Sequence, residues 1–332
     1  MDDVNNNDFA SLSPDLVLDA LEELGYRVDG RILALNSYEN RVYQIYLEDG
    51  SLLISKFYRP GRWTNQQICE EHSFAAQLAE AEIPVVAPLS FNHQTLHHHQ
   101  QHRFSLFRRQ QGRPPELSDE DTLSWMGRYL GRIHHIGKQN QFLHRPALNP
   151  LSYGVAALDF LQRNRVLPGA VRGDYFDIAQ RALDQVQLCY EKAGALELIR
   201  THGDCHWGNV LWADSGEQAG PWFVDFDDAR NAPALQDIWM LLSGSRREMT
   251  QQLSIIVDAY EDFTEFDYQQ LHILEALRTL RLIHYSSWLA QRWCDPAFPV
   301  AFPWFGSDDY WRARIQELSE QIELMRLPAL SI

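Results

Sequence analysis

Cysteine is scarce in this chain. The 332 residues include four cysteines, which are far apart in the sequence and show no C-x-x-C spacing: Cys69, Cys189, Cys205 and Cys294. Four widely separated cysteines do not indicate a disulfide framework, and the short spacing typical of dithiol or zinc motifs is missing. We therefore expect buried or free thiols in a reducing compartment.

Long apolar runs are also missing from the sequence. No uninterrupted stretch approaches the roughly 18 residues that a membrane-spanning helix needs. The first ten residues, MDDVNNNDFA, are acidic and polar, unlike a secretory signal or a transit peptide. We expect a globular cytoplasmic protein that does not associate with membranes.

Positive charge is in deficit. Lysine and arginine number 29 against 45 aspartates and glutamates, which gives a formal net charge of −16. Such a surplus repels phosphate backbones and anionic lipid, so we expect no nucleic-acid partner. It would suit a cationic partner, although many cytoplasmic proteins are simply acidic.

The N-terminal third has a β-rich pattern with one main helix. A short amphipathic helix over 15–25 precedes an alternating stretch, 32–58, which is broken at Asp49-Gly50 in the manner of a hairpin. Helical spacing over 65–82 follows, and then two predicted strands near 85–91 and 102–107. The histidines at and before the second of these strands, His97, His98, His99 and His102, are interpreted as part of a solvated turn rather than a metal site.

Beyond Arg108 the pattern is mostly helical. Ser118 begins a predicted capping box for a helix that runs to about residue 136. Two short β-like runs, VLW and WFVDF, interrupt further predicted helices at 152–164, 174–193, 235–243, 248–263, 267–293 and 308–326. We predict an α+β protein with two lobes: a small β-rich lobe over 1–108, a hinge region over 102–113 and a larger, mainly helical lobe over 109–332.

The segment HGDCHWGN and the later VDFDD carry the chemistry. Asp204 is followed five positions later by Asn209, and Asp225 lies at the end of a β-like run. Phosphoryl transfer uses one carboxylate to orient and deprotonate the attacking hydroxyl, and an amide and a second carboxylate to hold Mg²⁺. The alternative is that Asp204 and Asn209 cap turns beside a solvated acidic loop.

These motifs resemble those of the aminoglycoside-phosphotransferase and choline-kinase group within the protein-kinase-like fold. The run THGDCHWGNVLW and the upstream NSYENRVYQI are closer still to the bacterial stress-response kinases of that group, and the resemblance covers roughly 10–330. It implies a bilobal protein-kinase-like fold with an antiparallel-sheet N-terminal lobe, ATP and Mg²⁺ as cofactors, and phosphorylation of protein Ser/Thr hydroxyls. In that reading Asp204 is the catalytic base, Asp225 is both catalytic and a metal ligand, and Asn209 is the second metal ligand.

A kinase also needs a lysine that contacts the α- and β-phosphates and a helical glutamate that orients it. Lys56 lies on the second arm of the predicted hairpin, on the pleat face of apolar residues, where a lysine is unusual. Glu70 and Glu71 both lie on the predicted helix. Glu71 shares an apolar stripe with Ile68 and is the preferred partner, while Glu70 stays open as the alternative.

The predicted phosphate-covering loop, NSYENR, has no glycine, unlike the G-x-G-x-x-G loop of ordinary protein kinases. Backbone N–H groups and the hydroxyl of Ser37 are the predicted phosphate donors, and an ordinary turn residue is the alternative. Asp237 resembles the family aspartate that anchors the catalytic-loop backbone, with N-capping as its alternative. His206 stands where protein kinases keep a lysine.

The sequence thus predicts an ATP- and Mg²⁺-dependent serine/threonine protein kinase of the stress-response type. It would act on protein Ser/Thr hydroxyls, phosphorylate itself, and be a monomer. One rival is a phosphotransferase for small molecules such as choline, homoserine or an aminoglycoside, because the same motifs serve both. A second rival is a kinase-shaped binding module without activity, which would be expected to lack one of the residues named above.

Overall fold

The computed structural model describes residues 9–115, 119–214 and 219–332. The chain divides into two compact units. The first contains the described residues of Met1–Glu116, Leu143–Arg145 and Trp207–Asp228. The second contains those of Leu117–Phe142, Pro146–His206 and Ala229–Ile332. The predicted lobe boundary at residue 108 and the hinge at 102–113 stay predictions.

The elements in chain order confirm the predicted α+β class. The strands are β1 Val28–Leu35, β2 Arg41–Leu47, β3 Leu52–Phe57, β4 His97–His99, β5 His102–Arg108, β6 Ile199–Thr201, β7 Val210–Ala213, β8 Gly220–Phe223 and β9 Arg230–Ala232. The α-helices are α1 Pro14–Glu23, α2 Asn65–Glu80, α3 Glu120–Gly137, α4 Ala156–Arg163, α5 Gly169–Ala193, α6 Leu235–Trp239, α7 Arg246–Tyr260, α8 Leu274–Gln291, α9 Ala297–Ala301 and α10 Asp308–Arg326.

The first unit is built on a five-stranded antiparallel sheet in the order β1-β2-β3-β5-β4. Gly50 takes a φ of 82°, which confirms the predicted Asp49-Gly50 turn between β2 and β3. The apolar stripe of α1 and the inner face of the sheet form one core, in which Phe57 and Phe104 stack with ring centroids 5.1 Å apart. The sheet therefore holds β3, and with it Lys56, in a fixed position.

Two predictions for this unit are wrong. Residues 85–91 form isolated bridges instead of a strand, because Pro84 and Pro88 have no N–H to donate to a ladder. The prediction of a solvated turn is wrong for His97 and His102, which are buried with their rings packed against Phe104 and Phe57, whereas His98 is exposed.

The second unit is mainly helical, as predicted, with β6 and β9 paired. Some boundaries differ from the prediction. The helix predicted over 235–243 ends at Trp239, and the one predicted over 267–293 begins as a 3₁₀ turn, Tyr268–Ile273, before α8. The predicted cap residue Ser118 lies outside the described residues. The side chain of Asp119 accepts a hydrogen bond from the Thr122 N–H and caps α3.

Helices α3 and α7 approach each other at two glycines. A Cβ on Gly127 would collide with the backbone oxygen of Ile256, and one on Gly131 would lie 2.6 Å from that of Tyr260. The G-x-x-x-G spacing places both glycines on one face of α3. The close packing of these helices therefore requires glycine, which has no side chain, at both positions.

Among the described residues, no helix has the length and apolar character needed to cross a bilayer.

Candidate active site

Lys56 lies on β3, where it is paired with Val42 of β2 and Ser105 of β5. Among the described residues, the carboxylates within 4.0 Å of its Nζ are those of Asp225, at 2.7 Å, and Asp227, at 3.3 Å. Burial opposes the charge on Lys56, but these two carboxylates outweigh it and hold the pKa well above its ordinary value. The first unit thus brings a permanently charged lysine to the VDFDD segment.

Asp225 has an unusual backbone conformation. Its φ is +62°, in the left-handed region that aspartate tolerates better than most residues and that clusters at functional sites. It follows β8, and the preceding residue, Val224, donates its N–H to the backbone oxygen of Asn209 at 3.0 Å. Asn209 ends a short 3₁₀ turn, Trp207–Asn209, before β7. The two predicted metal ligands therefore belong to neighbouring segments of the first unit.

Glu70 and Glu71 of α2 have different roles. The Glu70 carboxylate accepts hydrogen bonds from the backbone N–H groups of Leu143 at 2.7 Å, His144 at 2.9 Å and Arg145 at 3.0 Å. Glu70 is therefore engaged with a loop of the first unit. Glu71, with 4% of its surface exposed, lies on the buried stripe of α2.

Burial raises the pKa of Glu71 to about 7, although the positive charges of Arg145 and Lys56 pull it down. Lys56 thus acts on Glu71 through the field between two buried charges. Its direct ion-pair partners are the aspartates named above, a preference that the sequence analysis did not anticipate.

The loop that contains Ser37 connects β1 and β2 and is anchored at its end. Asn40 donates from Nδ2 to Oδ2 of Asp227 at 3.2 Å, and its Oδ1 accepts the N–H of Arg59 at 3.1 Å. Ser37 itself is half-buried, three residues before this anchor. Sequence reasoning missed Asn40, whose only sequence signal is its place at the end of the glycine-free loop.

A buried ionic network surrounds Asp227. Arg62 contacts the carboxylates of Asp227 and Asp228 and lies 3.5 Å from Glu39. Burial alone would raise the pKa of Asp227, but Lys56 and Arg62 lower it to about 2. Arg145 donates from Nε to the backbone oxygen of Gln67 on α2 and from Nη1 to the backbone oxygen of Asp227.

This network was also missed by the sequence analysis. Arg62 and Arg145 lie in segments without periodic spacing, so no local pattern indicates that they are buried. Together they connect α2 and the glycine-free loop to the segment that follows Asp225.

The predicted catalytic loop begins after β6, in the second unit. Asp237, at the start of α6, accepts the backbone N–H groups of His202 and Gly203, both at 2.8 Å, and contacts His134 Nε2 at 3.0 Å. The N-cap position of α6 is Ala234, without a side-chain cap. The predicted anchoring role of Asp237 is therefore confirmed, and the N-capping alternative is wrong.

Asp204 lies one residue beyond this anchor. Its Oδ1 is 2.6 Å from Nη1 of Arg281, on α8, and its Oδ2 is 3.5 Å from Nε2 of His206. Sequence reasoning missed Arg281, which is 77 positions from Asp204 in a helix with no recognisable motif. The neighbouring Cys205 is buried, and burial raises the pKa of its thiol well above the ordinary value, which disfavours the reactive thiolate.

The donor chemistry fits a hard divalent cation. The described residues contain no group of three or more His, Cys, Asp or Glu side chains that could enclose a metal by themselves. Asn209 and Asp225 offer one amide and one carboxylate oxygen, and Mg²⁺ typically binds to one or two carboxylates while keeping waters and phosphate oxygens. These two residues therefore suit an ion shared with a nucleotide.

The described architecture and motifs define a phosphotransferase. The phosphotransferase enzyme family APH matches residues 31–274, and the chain belongs to this family. Within this family, the chain is 43% identical to stress response kinase A of Escherichia coli strain K12. The 324 aligned residues cover 98% of this chain and 97% of that protein. The predicted resemblance is thus confirmed, and the chain is a kinase by family.

Two further comparisons agree with this assignment. The chain is 42% identical, over 98% of its length and 97% of that of the relative, to the serine/threonine protein kinase RdoA of Salmonella typhimurium. The solved structure of the amicoumacin kinase hAmiN, in complex with AMP-PNP, Ca²⁺ and amicoumacin, superposes with a TM-score of 0.73. It covers 94% of this chain and 93% of that one at 19% identity, which shows that the fold is shared.

Proposed function

We propose that this protein is an ATP- and Mg²⁺-dependent serine/threonine protein kinase. The observation that carries the proposal is the ion pair of buried Lys56 with Asp225, which joins a phosphate-binding lysine to a metal-binding carboxylate. The finer statement, that the acceptor is a protein hydroxyl, is supported by the name of the Salmonella relative, a serine/threonine protein kinase at 42% identity. A role in the stress response is supported by the name of the Escherichia coli relative. We also propose that the protein is cytoplasmic and that it phosphorylates itself.

Each residue has a defined task in this proposal. Lys56, in the field of Glu71, pairs with the α- and β-phosphates, and Ser37 and its loop donate to phosphate oxygens. Asn209 and Asp225 would hold Mg²⁺, which would supply positive charge to neutralise the nucleotide phosphates. Asp204 accepts the proton of the acceptor hydroxyl while the hydroxyl oxygen forms its bond to the γ-phosphorus. The bond from the γ-phosphorus to the β–γ bridging oxygen breaks, and that oxygen leaves with ADP.

The protein side of catalysis then consists of positioning and electrostatics. Asp237 fixes the loop that carries Asp204 by accepting two of its backbone N–H groups, so the base does not need to be ordered at the moment of reaction. The pKa of Lys56, held high by Asp225 and Asp227, keeps the ammonium charged throughout the physiological range.

The test uses purified protein with γ-labelled ATP and Mg²⁺, offered a generic basic protein and an amino alcohol in separate reactions. We expect label on protein, either the added protein or the kinase itself, and loss of at least about a hundredfold in D204N. The matched control is D159N, since the Asp159 side chain is half-exposed on α4 and, among the described residues, forms an ion pair with Arg163.

Two outcomes would contradict the proposal. Label on the amino alcohol alone would establish a small-molecule phosphotransferase instead. Nucleotide binding with no transfer to water, protein or small hydroxyl compounds would establish a binding module. Phosphopeptide mapping of the labelled protein identifies the acceptor residues.

A further inference from the structure

Asp204 lies between two basic side chains of the second unit. The guanidinium of Arg281 is 2.6 Å from one of its carboxylate oxygens, and the imidazole of His206 is 3.5 Å from the other. Arginine stays charged at any pH that a protein experiences. A permanent positive charge therefore stands at the carboxylate that we propose as the base.

The helix that carries Arg281 has a charge balance opposite to that of the whole chain. Helix α8 contains two arginines, Arg278 and Arg281, and one carboxylate, Glu275. That carboxylate lies 3.7 Å from Nη1 of Arg278. Although the protein carries a net charge of −16, the part of α8 nearest Asp204 is positive.

This local charge acts on any acceptor. The acceptor hydroxyl must come within hydrogen-bond reach of Asp204, about 2.6–3.2 Å, to transfer its proton. Groups on the carbons next to that hydroxyl then lie within a few ångströms of the Arg281 guanidinium, where charges interact strongly. An ammonium group beside the hydroxyl is repelled, and a carboxylate is attracted.

We propose that Arg281 is a specificity-determining residue, which selects acceptors with an anionic group next to the reacting hydroxyl. This inference rests on the proposed function in taking Asp204 as the base. In a protein acceptor, the selected site is a serine or threonine flanked by aspartate or glutamate. A guanidinium has five N–H donors, so it can contact Asp204 and an acceptor carboxylate together. The side chain of Arg281 is 36% exposed, which gives an acceptor access to it.

Two peptides test this proposal. Each is an alanine-based peptide with a single serine. The two residues that flank the serine are both glutamate in one peptide and both lysine in the other. The kcat/KM for each is measured with labelled ATP at an ionic strength of about 0.15 M, where the Debye length of about 8 Å screens charges far from the site. We expect wild-type protein to prefer the glutamate peptide at least tenfold.

Four variants separate specificity from general damage. R281Q should abolish the preference, R281E should reverse it, and R281K, which retains the charge, should retain it. R312E changes the same charge at an exposed position of α10 and should behave as wild type. Thermal unfolding establishes that each variant is folded. Equal loss on both peptides in R281Q and R281E would overturn the proposal, because Arg281 would then act on the base or on the phosphoryl group.

The result can be told apart from failure of the proposed function. If wild-type protein labels neither peptide but labels small hydroxyl compounds, the protein-kinase proposal fails. The same variants are then compared on a hydroxy acid and an amino alcohol of equal length. A wild-type preference for the hydroxy acid that disappears in R281Q supports the role of Arg281, and equal use of both compounds or preference for the amino alcohol overturns it.

Discussion

The ammonium of Lys56 lies 2.7 Å from a carboxylate oxygen of Asp225, although the two residues are 169 positions apart in the sequence. The two partners differ in environment: the lysine side chain is buried, whereas that of Asp225 is 54% exposed. The sheet thus supplies a fixed, buried charge, and the exposed partner is the one that a ligand can reach. Asp227 completes the pairing from the buried side.

Replacement of Lys56 by methionine should remove most of the activity. The variant K56M keeps the length and apolar stem of the side chain but loses the charge that we propose pairs with the ATP phosphates. We expect kcat to fall by about 10²–10³, as for other single electrostatic contacts to a transferring group. Steady-state kinetics with labelled ATP measures the change. K192M, at an exposed position of α5, is the control, and unchanged kcat in K56M would disprove the assigned role.

Glu71 should make the stability of the protein depend on pH. Its pKa is raised from 4.5 to about 7 in the folded protein, so the folded state binds more protons than the unfolded state between these values. Stability due to this group is therefore present at low pH and decreases as the pH rises toward 7. The linkage relation gives a contribution of about 2 kcal/mol between pH 5 and pH 7.

Urea unfolding of wild type and E71Q at several pH values measures this contribution. The difference in free energy of unfolding, E71Q minus wild type, should grow as the pH rises from 5 to 7. E80Q, at the exposed end of α2, should show no such trend. Parallel pH profiles for E71Q and wild type would show that Glu71 titrates at its ordinary value.

Loss of the Glu70 carboxylate should loosen residues 143–145. In E70A three backbone N–H groups lose their acceptor, which we expect to cost about 1–3 kcal/mol of stability. Hydrogen exchange measured by mass spectrometry should accelerate in the peptide that contains Leu143–Arg145. An unchanged exchange rate there would mean that water replaces the carboxylate without loss.

The two glycines of α3 give a prediction about stability alone. In G131A the new methyl group meets the backbone oxygen of Tyr260, so α3 and α7 must separate, and we expect a loss of about 1–3 kcal/mol. G173A lies in α5 with nothing within 4 Å of the added carbon, and it should gain up to about 1 kcal/mol from helix propensity. Thermal unfolding compares the pair. Equal shifts in both variants would exclude close packing at Gly131.

Local patterns predicted the parts of the structure that depend on local geometry. Strand alternation placed Lys56 on the face of β3 that carries Leu52 and Ile54, opposite Phe57, and helical spacing placed Glu71 on the buried stripe of α2 with Ile68. The motif around Asp204 and Asp225 identified the family, which the comparison confirmed. The prediction of a strand over 85–91 was wrong because the apolar residues there favour a strand, whereas Pro84 and Pro88 cannot donate to a strand ladder.

Long-range pairings were beyond such patterns. Asn40 meets Asp227 over a separation of 187 residues, and Arg281 meets Asp204 from a helix whose periodicity shows only that it is amphipathic. Each is a single polar side chain, and the free energy that selects its partner comes from burial in the folded chain. The choice between Glu70 and Glu71 depended on both kinds of information. Helical spacing predicted which glutamate lies on the buried face of α2, but only the folded structure shows that Glu70 binds the loop 143–145.

The first unit combines segments that are far apart in the sequence, and this has a consequence for biosynthesis. Its sheet is complete by Arg108, but Asp225 and Asp227, the partners of Lys56, lie in a segment made more than a hundred residues later. On the ribosome, where domains ordinarily fold in order of synthesis, the sheet forms before the two ion-pair partners of Lys56 have been made. A shortened chain that ends between Arg108 and Asp225 would lack both of these carboxylates, so incomplete products are expected to be less stable and to be targets for proteolysis.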